Sequence, residues 1–137
     1  MSLFNIFGKK DVSSELMKNP PYRLSVELVP YRLEANKKSV ATMFIHLANM
    51  TTEPLLTSVV IEAPPKIGFD EMGLSKQKEI RIGNMNPSEE KELKVDLFGG
   101  SATEKGSYTM SLTAIMHYRD YGHVINAVKK RMMVNVV

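Results

Sequence analysis

From Ile80 to Tyr108 the sequence admits few architectures. It reads Ile80-Arg81-Ile82-Gly83-Asn84-Met85-Asn86-Pro87-Ser88-Glu89-Glu90, then Leu93, Val95 and Leu97 at every second position, then Gly106-Ser107-Tyr108. Two segments of period two flank a turn built from Gly, Asn and Pro. A period of two places alternate side chains on opposite faces of a strand. The breaker residues supply turn conformations that a helix cannot use. This stretch is therefore antiparallel sheet.

The same period runs through most of the chain. Leu24, Val26 and Leu28 alternate with Arg23, Ser25 and Glu27 in a first predicted strand. A polar turn follows over Tyr31 to Ser39. In a second strand, about Val40 to Ala48, Ala41, Met43, Ile45 and Leu47 share one face, with Val40, Thr42, Phe44 and His46 on the other. A third, about Leu56 to Ala63, stops at Pro64-Pro65. Lys66 to Gln77 reads as a crossing between sheets whose Ile67, Phe69, Met72 and Leu74 cap the core. A fourth strand is placed at Lys78 to Ile82, a turn at Gly83 to Glu90 and a fifth strand at Lys91 to Phe98. In a sixth strand, about Ser107 to Arg119, Tyr108, Met110, Leu112, Ala114, Met116 and Tyr118 fall on one face. Asp120-Tyr121-Gly122 is read as a turn into a seventh strand, about His123 to Val136. Short strands separated by turn signals, without alternating helices, predict a two-layer all-β sandwich.

A chain of 137 residues can bury one core, so one domain is expected, over residues 22–137. Residues 1–21 differ and read as an N-terminal arm, partly helical or disordered, closed by Pro20-Pro21. The chain has no cysteine, which rules out disulfides, thiolate metal sites and cysteine nucleophiles. Its apolar runs fall far short of the ~20 residues of a membrane-spanning helix. Lys9 and Lys10 follow the first apolar cluster, so no secretory signal is expected, and Ser2 rules out myristoylation. These features together predict a cytoplasmic protein, with the inner face of the membrane as the other location.

Several arrangements resemble the immunoglobulin-like domains of the CARDB type: Leu47-Ala48-Asn49, Ala63-Pro64-Pro65, Ile82-Gly83-Asn84-Met85-Asn86-Pro87 and Gly106-Ser107-Tyr108, over about Tyr22 to Val137. The resemblance implies a seven-stranded immunoglobulin-like antiparallel β-sandwich, of a kind that serves as a binding or spacer module in surface proteins of bacteria and archaea. It assigns structural roles to Pro64, Pro87, Gly106 and Tyr108. Independently of that likeness, a tyrosine opening the sixth strand can bury its ring and bond backbone at the corner between sheets.

The chemistry-bearing residues are sparse. His117, Asp120 and His123 gather around the last hairpin and could hold a metal, making a metal-dependent enzyme the third reading. Their spacing matches no usual zinc pattern, so they read as surface residues at a hairpin tip. Asp70-Glu71 and Glu89-Glu90-Lys91-Glu92 lack a calcium-binding loop. No Gly-x-Ser-x-Gly elbow and no phosphate-cradling loop occurs; Gly99-Gly100-Ser101 is a turn. No catalytic residue, no cofactor and no metal is predicted.

Net charge is +3, with seven basic and four acidic residues in 1–40 and four basic and one acidic in 119–137. This bias is too small for nucleic-acid binding. Lys129-Lys130-Arg131 lacks interleaved aromatics and reads as protection of an edge strand. Met43, Met110 and Met116 are assigned to the core. Met50, Met85 and Met133 could form an adaptable contact surface, with ordinary core filling the favoured reading.

The predicted function is a non-catalytic interaction module. It would bind a protein partner, or a second copy of itself, through a strand edge, a loop end or the arm. In the arm Leu3, Phe4, Ile6 and Phe7 are costly to expose together, and Lys9 and Lys10 could meet an acidic partner or lipid headgroups. The runner-up is a peripheral membrane component held by residues 3–10.

Overall fold

The computed structural model describes residues 20–137. Eight strands follow one another: β1 Tyr22–Val29, β2 Arg32–Leu33, β3 Ser39–Asn49, β4 Leu55–Glu62, β5 Gln77–Met85, β6 Glu90–Gly99, β7 Gly106–Tyr118 and β8 Asp120–Val136. They form two sheets, β1-β3-β6 and β2-β8-β7-β4-β5. All pairings are antiparallel except β2 with β8, which is parallel.

The core lies between the two sheets, where the alternation places it. Ala41, Met43, Ile45 and Leu47 of β3 are buried, as are Val95 and Leu97 of β6. Thr57, Val59 and Ile61 of β4 face them, beside Met110, Leu112 and Ala114 of β7. Both sheets are amphipathic because one face of each pleat is apolar, and neither could stand in water alone.

The eighth strand is one that the sequence concealed. Arg32 and Leu33 pair with Asn135 and Val136 of β8, in a segment read above as turn. Two residues are too few to show a period, but Leu33 is fully buried. The described chain thus starts in one sheet and crosses to the other between Val29 and Arg32.

Strand β5 also runs further than expected, to Met85. Gly83 adopts a φ of 90° and sits at a register shift opposite Thr57 and Ser58. It is a bulge inside the strand, where the left-handed φ suits glycine. Met85 is consequently buried and not part of a contact surface, whereas Met50 and Met133 are exposed.

In the 63–76 crossing, Ile67 and Phe69 pack on the core, but Met72 and Leu74 are exposed. The Asp70 carboxylate accepts the amides of Leu74 and Ser75 at 2.9 and 3.2 Å. That tight turn leaves Met72 and Leu74 in solvent while Gly73 packs against Gly68.

Candidate functional site

Three connections gather at one end of the sandwich: the loop after β3, the turn between β5 and β6, and the β7–β8 hairpin tip. Asn49 pins the first two. It is 1% exposed. Its Nδ2 donates to the carbonyls of Glu53 and Met85, both at 2.9 Å. Its Oδ1 accepts from the Thr51 amide and hydroxyl, both at 2.8 Å. Its backbone bonds Glu89 and Ser88 in the turn holding Pro87. Within that turn the Glu89 carboxylate accepts the Asn86 amide at 2.8 Å, which, with Lys91 nearby, holds its carboxyl below the ordinary range.

Tyr22 ties the two sheets here. Its hydroxyl lies 2.7 Å from Thr57 Oγ1, and Thr57 in turn donates to the Leu55 carbonyl at 2.9 Å. Burial raises the Tyr22 hydroxyl above its ordinary pKa, and the bond to Thr57 offsets part of the rise.

At the far end, the Tyr108 hydroxyl donates to the Glu104 carbonyl at 2.6 Å. Gly106 sits between them with a φ of 156°. Pro64 is buried at the end of β4, and Pro87 is exposed in its turn.

The hairpin tip differs most from the sequence reading. The turn residue is Arg119, with a φ of 71°, and Tyr118 pairs directly with Asp120. Asp120, Tyr121 and Gly122 therefore belong to the start of β8. The register shifts on both sides of His117 leave extra residues in β8, Ile125 and then Tyr121 to His123, while β7 keeps its register with β4. His117 keeps the outer face, opposite Leu56, yet it is buried there, while Tyr118 beside the turn is 54% exposed. The Tyr121 ring meets the His117 ring edge-on at 5.0 Å. Its hydroxyl accepts the Gly83 amide at 2.9 Å, and the Arg81 guanidinium stacks 4.7 Å from its centroid. Two strands separate β8 from β5, so the tip folds across the outer face of the sheet. It covers Ser58 and His117, whose Oγ and Nε2 are 2.7 Å apart.

His117, Asp120 and His123 consequently do not act together. The Asp120 carboxylate bonds His123 Nδ1 at 2.8 Å and accepts the Gly122 amide at 2.9 Å. The His123 contact, and then that amide, hold the Asp120 carboxyl below its ordinary range. His117 turns instead to Ser58. Among the described residues no three His, Asp or Glu side chains are grouped to hold a metal ion. His117 is not the surface histidine expected at a hairpin tip, because the tip folds Tyr121 over it.

The second feature is the edge of β8. One side pairs with β7 along the strand. On the other side, among the described residues, only Asn135 and Val136 are paired, through β2. Among the described residues, 120–134 thus present an open edge. Lys129, Lys130 and Arg131 are exposed along it, as are Val124, Ile125 and Met133. Leu3, Phe4, Ile6, Phe7, Lys9 and Lys10 lie outside the described residues. No described helix is long and apolar enough to cross a membrane.

Comparison with one solved structure supports the architecture. The CARDB domain of a Pyrococcus furiosus protein, solved in complex with di-metal ions, superposes with a TM-score of 0.50 at 21% identity, over 86% of this chain and 90% of that one. A FixG-related protein from Vibrio parahaemolyticus gives 0.43 at 12% identity, over 83% and 96% of the two chains. An ASH/PapD-like domain of human CEP192 gives 0.44 at 14% identity, over 100% and 96%. No family model and no curated protein matches the sequence. The fold is an immunoglobulin-like, CARDB-like β-sandwich.

Proposed function

We propose that this domain is a non-catalytic protein-interaction module that takes an extended, acidic segment of a protein partner as an added strand along β8. The observation that carries this reading is the open edge from Asp120 to Val134. An open edge is a row of unpaired amides and carbonyls, which an incoming strand can satisfy. Lys129 and Arg131 stand opposite Thr113 and Ser111, on one face of the sheet, while Lys130 stands opposite Leu112, on the other. An added strand thus meets positive charge on both of its faces. No ion pair among the described residues involves these three side chains. Lysines at an edge repel neutral or basic strands and admit acidic ones.

Selection of peptides from a random display library on the full-length protein tests this. The selected peptides should alternate apolar with acidic residues and weaken with added salt. They should slow hydrogen exchange in β8 and lose affinity for the Lys129→Glu, Lys130→Glu, Arg131→Glu variant. Equal binding to that variant, or protection confined to other strands, refutes the reading. Protection of β8 in a concentration-dependent dimer without peptide would make a second copy the occupant instead.

A further inference from the structure

A recess of about 360 Å³ opens at the loop end of the sandwich, between the β3–β4 connection and the β7–β8 hairpin. Leu55, Leu56 and Ile125 are among its apolar lining residues, Asn84, Arg119 and Glu53 among its polar ones, and His117 is also in the lining. That volume falls within the range of small-ligand sites, and its lining is about evenly divided between polar and apolar surface.

His117 distinguishes it from an ordinary surface dip. The residue is 6% exposed. Its Nδ1 is the one buried side-chain nitrogen or oxygen among the described residues without a hydrogen-bond partner. Buried polar atoms in native structures are nearly always paired, so an unpaired one calls for a physical reason. The hydrogen-bond network also assigns which kind of partner is missing. His117 Nε2 is the sole described partner of the buried Ser58 hydroxyl. That hydroxyl must place its proton somewhere, and Nε2 is the acceptor in reach. Nε2 accepting from Ser58 leaves the ring proton on Nδ1. The orphan is therefore a donor, and what it lacks is an acceptor.

We infer that this recess binds a carboxylate carried on a small apolar body, with His117 Nδ1 donating to it. Arg119 supplies the charge and Asn84 a further donor. Leu55, Leu56 and Ile125 receive the apolar part. Glu53 is the one acid among the lining residues and opposes any carboxylate that shifts towards it. The proposal stands apart from the β8 edge and does not depend on it. The carboxylate can belong to a free small acid or to the C-terminus of a peptide.

The test is nuclear magnetic resonance of the full-length protein with labelled histidine rings. It uses three probes: 4-methylpentanoate, the matching amide, and a short acetylated peptide ending in a free leucine carboxylate. The acid or the peptide should shift His117 Nδ1 saturably, together with the amides of residues 53–56, 84 and 116–119, and the neutral amide should not. Tighter binding of the peptide assigns the source to a protein C-terminus, and tighter binding of the small acid assigns it to a metabolite. Arg119→Gln should weaken the acid by at least about tenfold, the loss of one hydrogen bond to a charged group. Glu53→Gln should strengthen it. Ser58→Ala frees the tautomer and should also weaken binding, with the amide spectrum reporting that the fold is kept. No saturable shift with either carboxylate, equal shifts with the amide, or an Arg119→Gln variant that binds as well as the parent overturns the inference.

Discussion

Replacing Asn49 with alanine should cost this domain a large share of its stability, although the residue carries no charge and touches no ligand. Its side chain makes hydrogen bonds to the Glu53 and Met85 carbonyls and accepts two from Thr51. The bond to Met85 is buried, and truncation leaves that carbonyl unmade, a loss of about 1–3 kcal/mol. The other bonds lie nearer water, which replaces them at about 0.5 kcal/mol each. The sum is about 3 kcal/mol. For a domain of this length it lowers the midpoint of thermal unfolding by roughly 10 °C. Thr51→Ala removes one accepting pair at the periphery and should cost about 1 kcal/mol. Asn49→Asp gives a second handle. It sets a carboxylate against two carbonyls, so its folded-state pKa must lie above the unfolded value. The deficit of this variant should therefore grow as pH rises through the carboxylate range and shrink as pH falls. Differential scanning calorimetry of the three variants across pH measures all of this. An Asn49→Ala midpoint within ~3 °C of the parent, below the effect of one buried hydrogen bond, would show that the loop end is not held as described.

Three further outcomes follow from the same geometry. Burial raises the Tyr22 hydroxyl, so the stability it contributes is intact below the unfolded pKa and is lost as pH rises through the folded one; alkaline unfolding should be shallower in Tyr22→Phe. The Asp120 carboxyl, depressed by His123 and the Gly122 amide, should titrate below exposed aspartates by carbon-detected resonance and move back towards them in His123→Ala. Tyr108→Phe deletes the bond to the Glu104 carbonyl and should cost about 1 kcal/mol in urea denaturation.

The layers of this fold were legible because burial enforces alternation. Ala41 to Leu47 and Met110 to Ala114 announce their inward faces, and they are buried. The features that escaped are those that break the period. Arg32–Leu33 is too short to display one. Gly83 looks like a turn when read along the chain, and only its partner strand makes it a bulge. The surplus residues of β8 opposite His117 fold the tip back over the outer face of the sheet, and nothing local in Met116-His117-Tyr118 signals it. Tyr121 is the missed residue with most consequence, because its contacts are with β5 and β7 and its neighbours in sequence are turn-like. The surplus of residues between Tyr118 and Val124 was the available clue: more chain than a tight hairpin needs. The open edge of β8 was legible in a different way, since Lys129-Lys130-Arg131 marked it before any pairing was known.

The short β2 strand has a mechanical meaning. Tyr22 stands at the loop end of the sandwich and Val136 at the opposite end, so the described chain comes in at one pole and leaves at the other. Strand β2 runs parallel to β8, and the amides of Ala35 and Val137 extend that ladder at 2.8 and 3.0 Å. Tension applied between the poles would slide these bonds past one another all at once, not peel them open singly. Pulled lengthwise between these poles, the domain should therefore yield at a higher force than its two-residue clasp suggests.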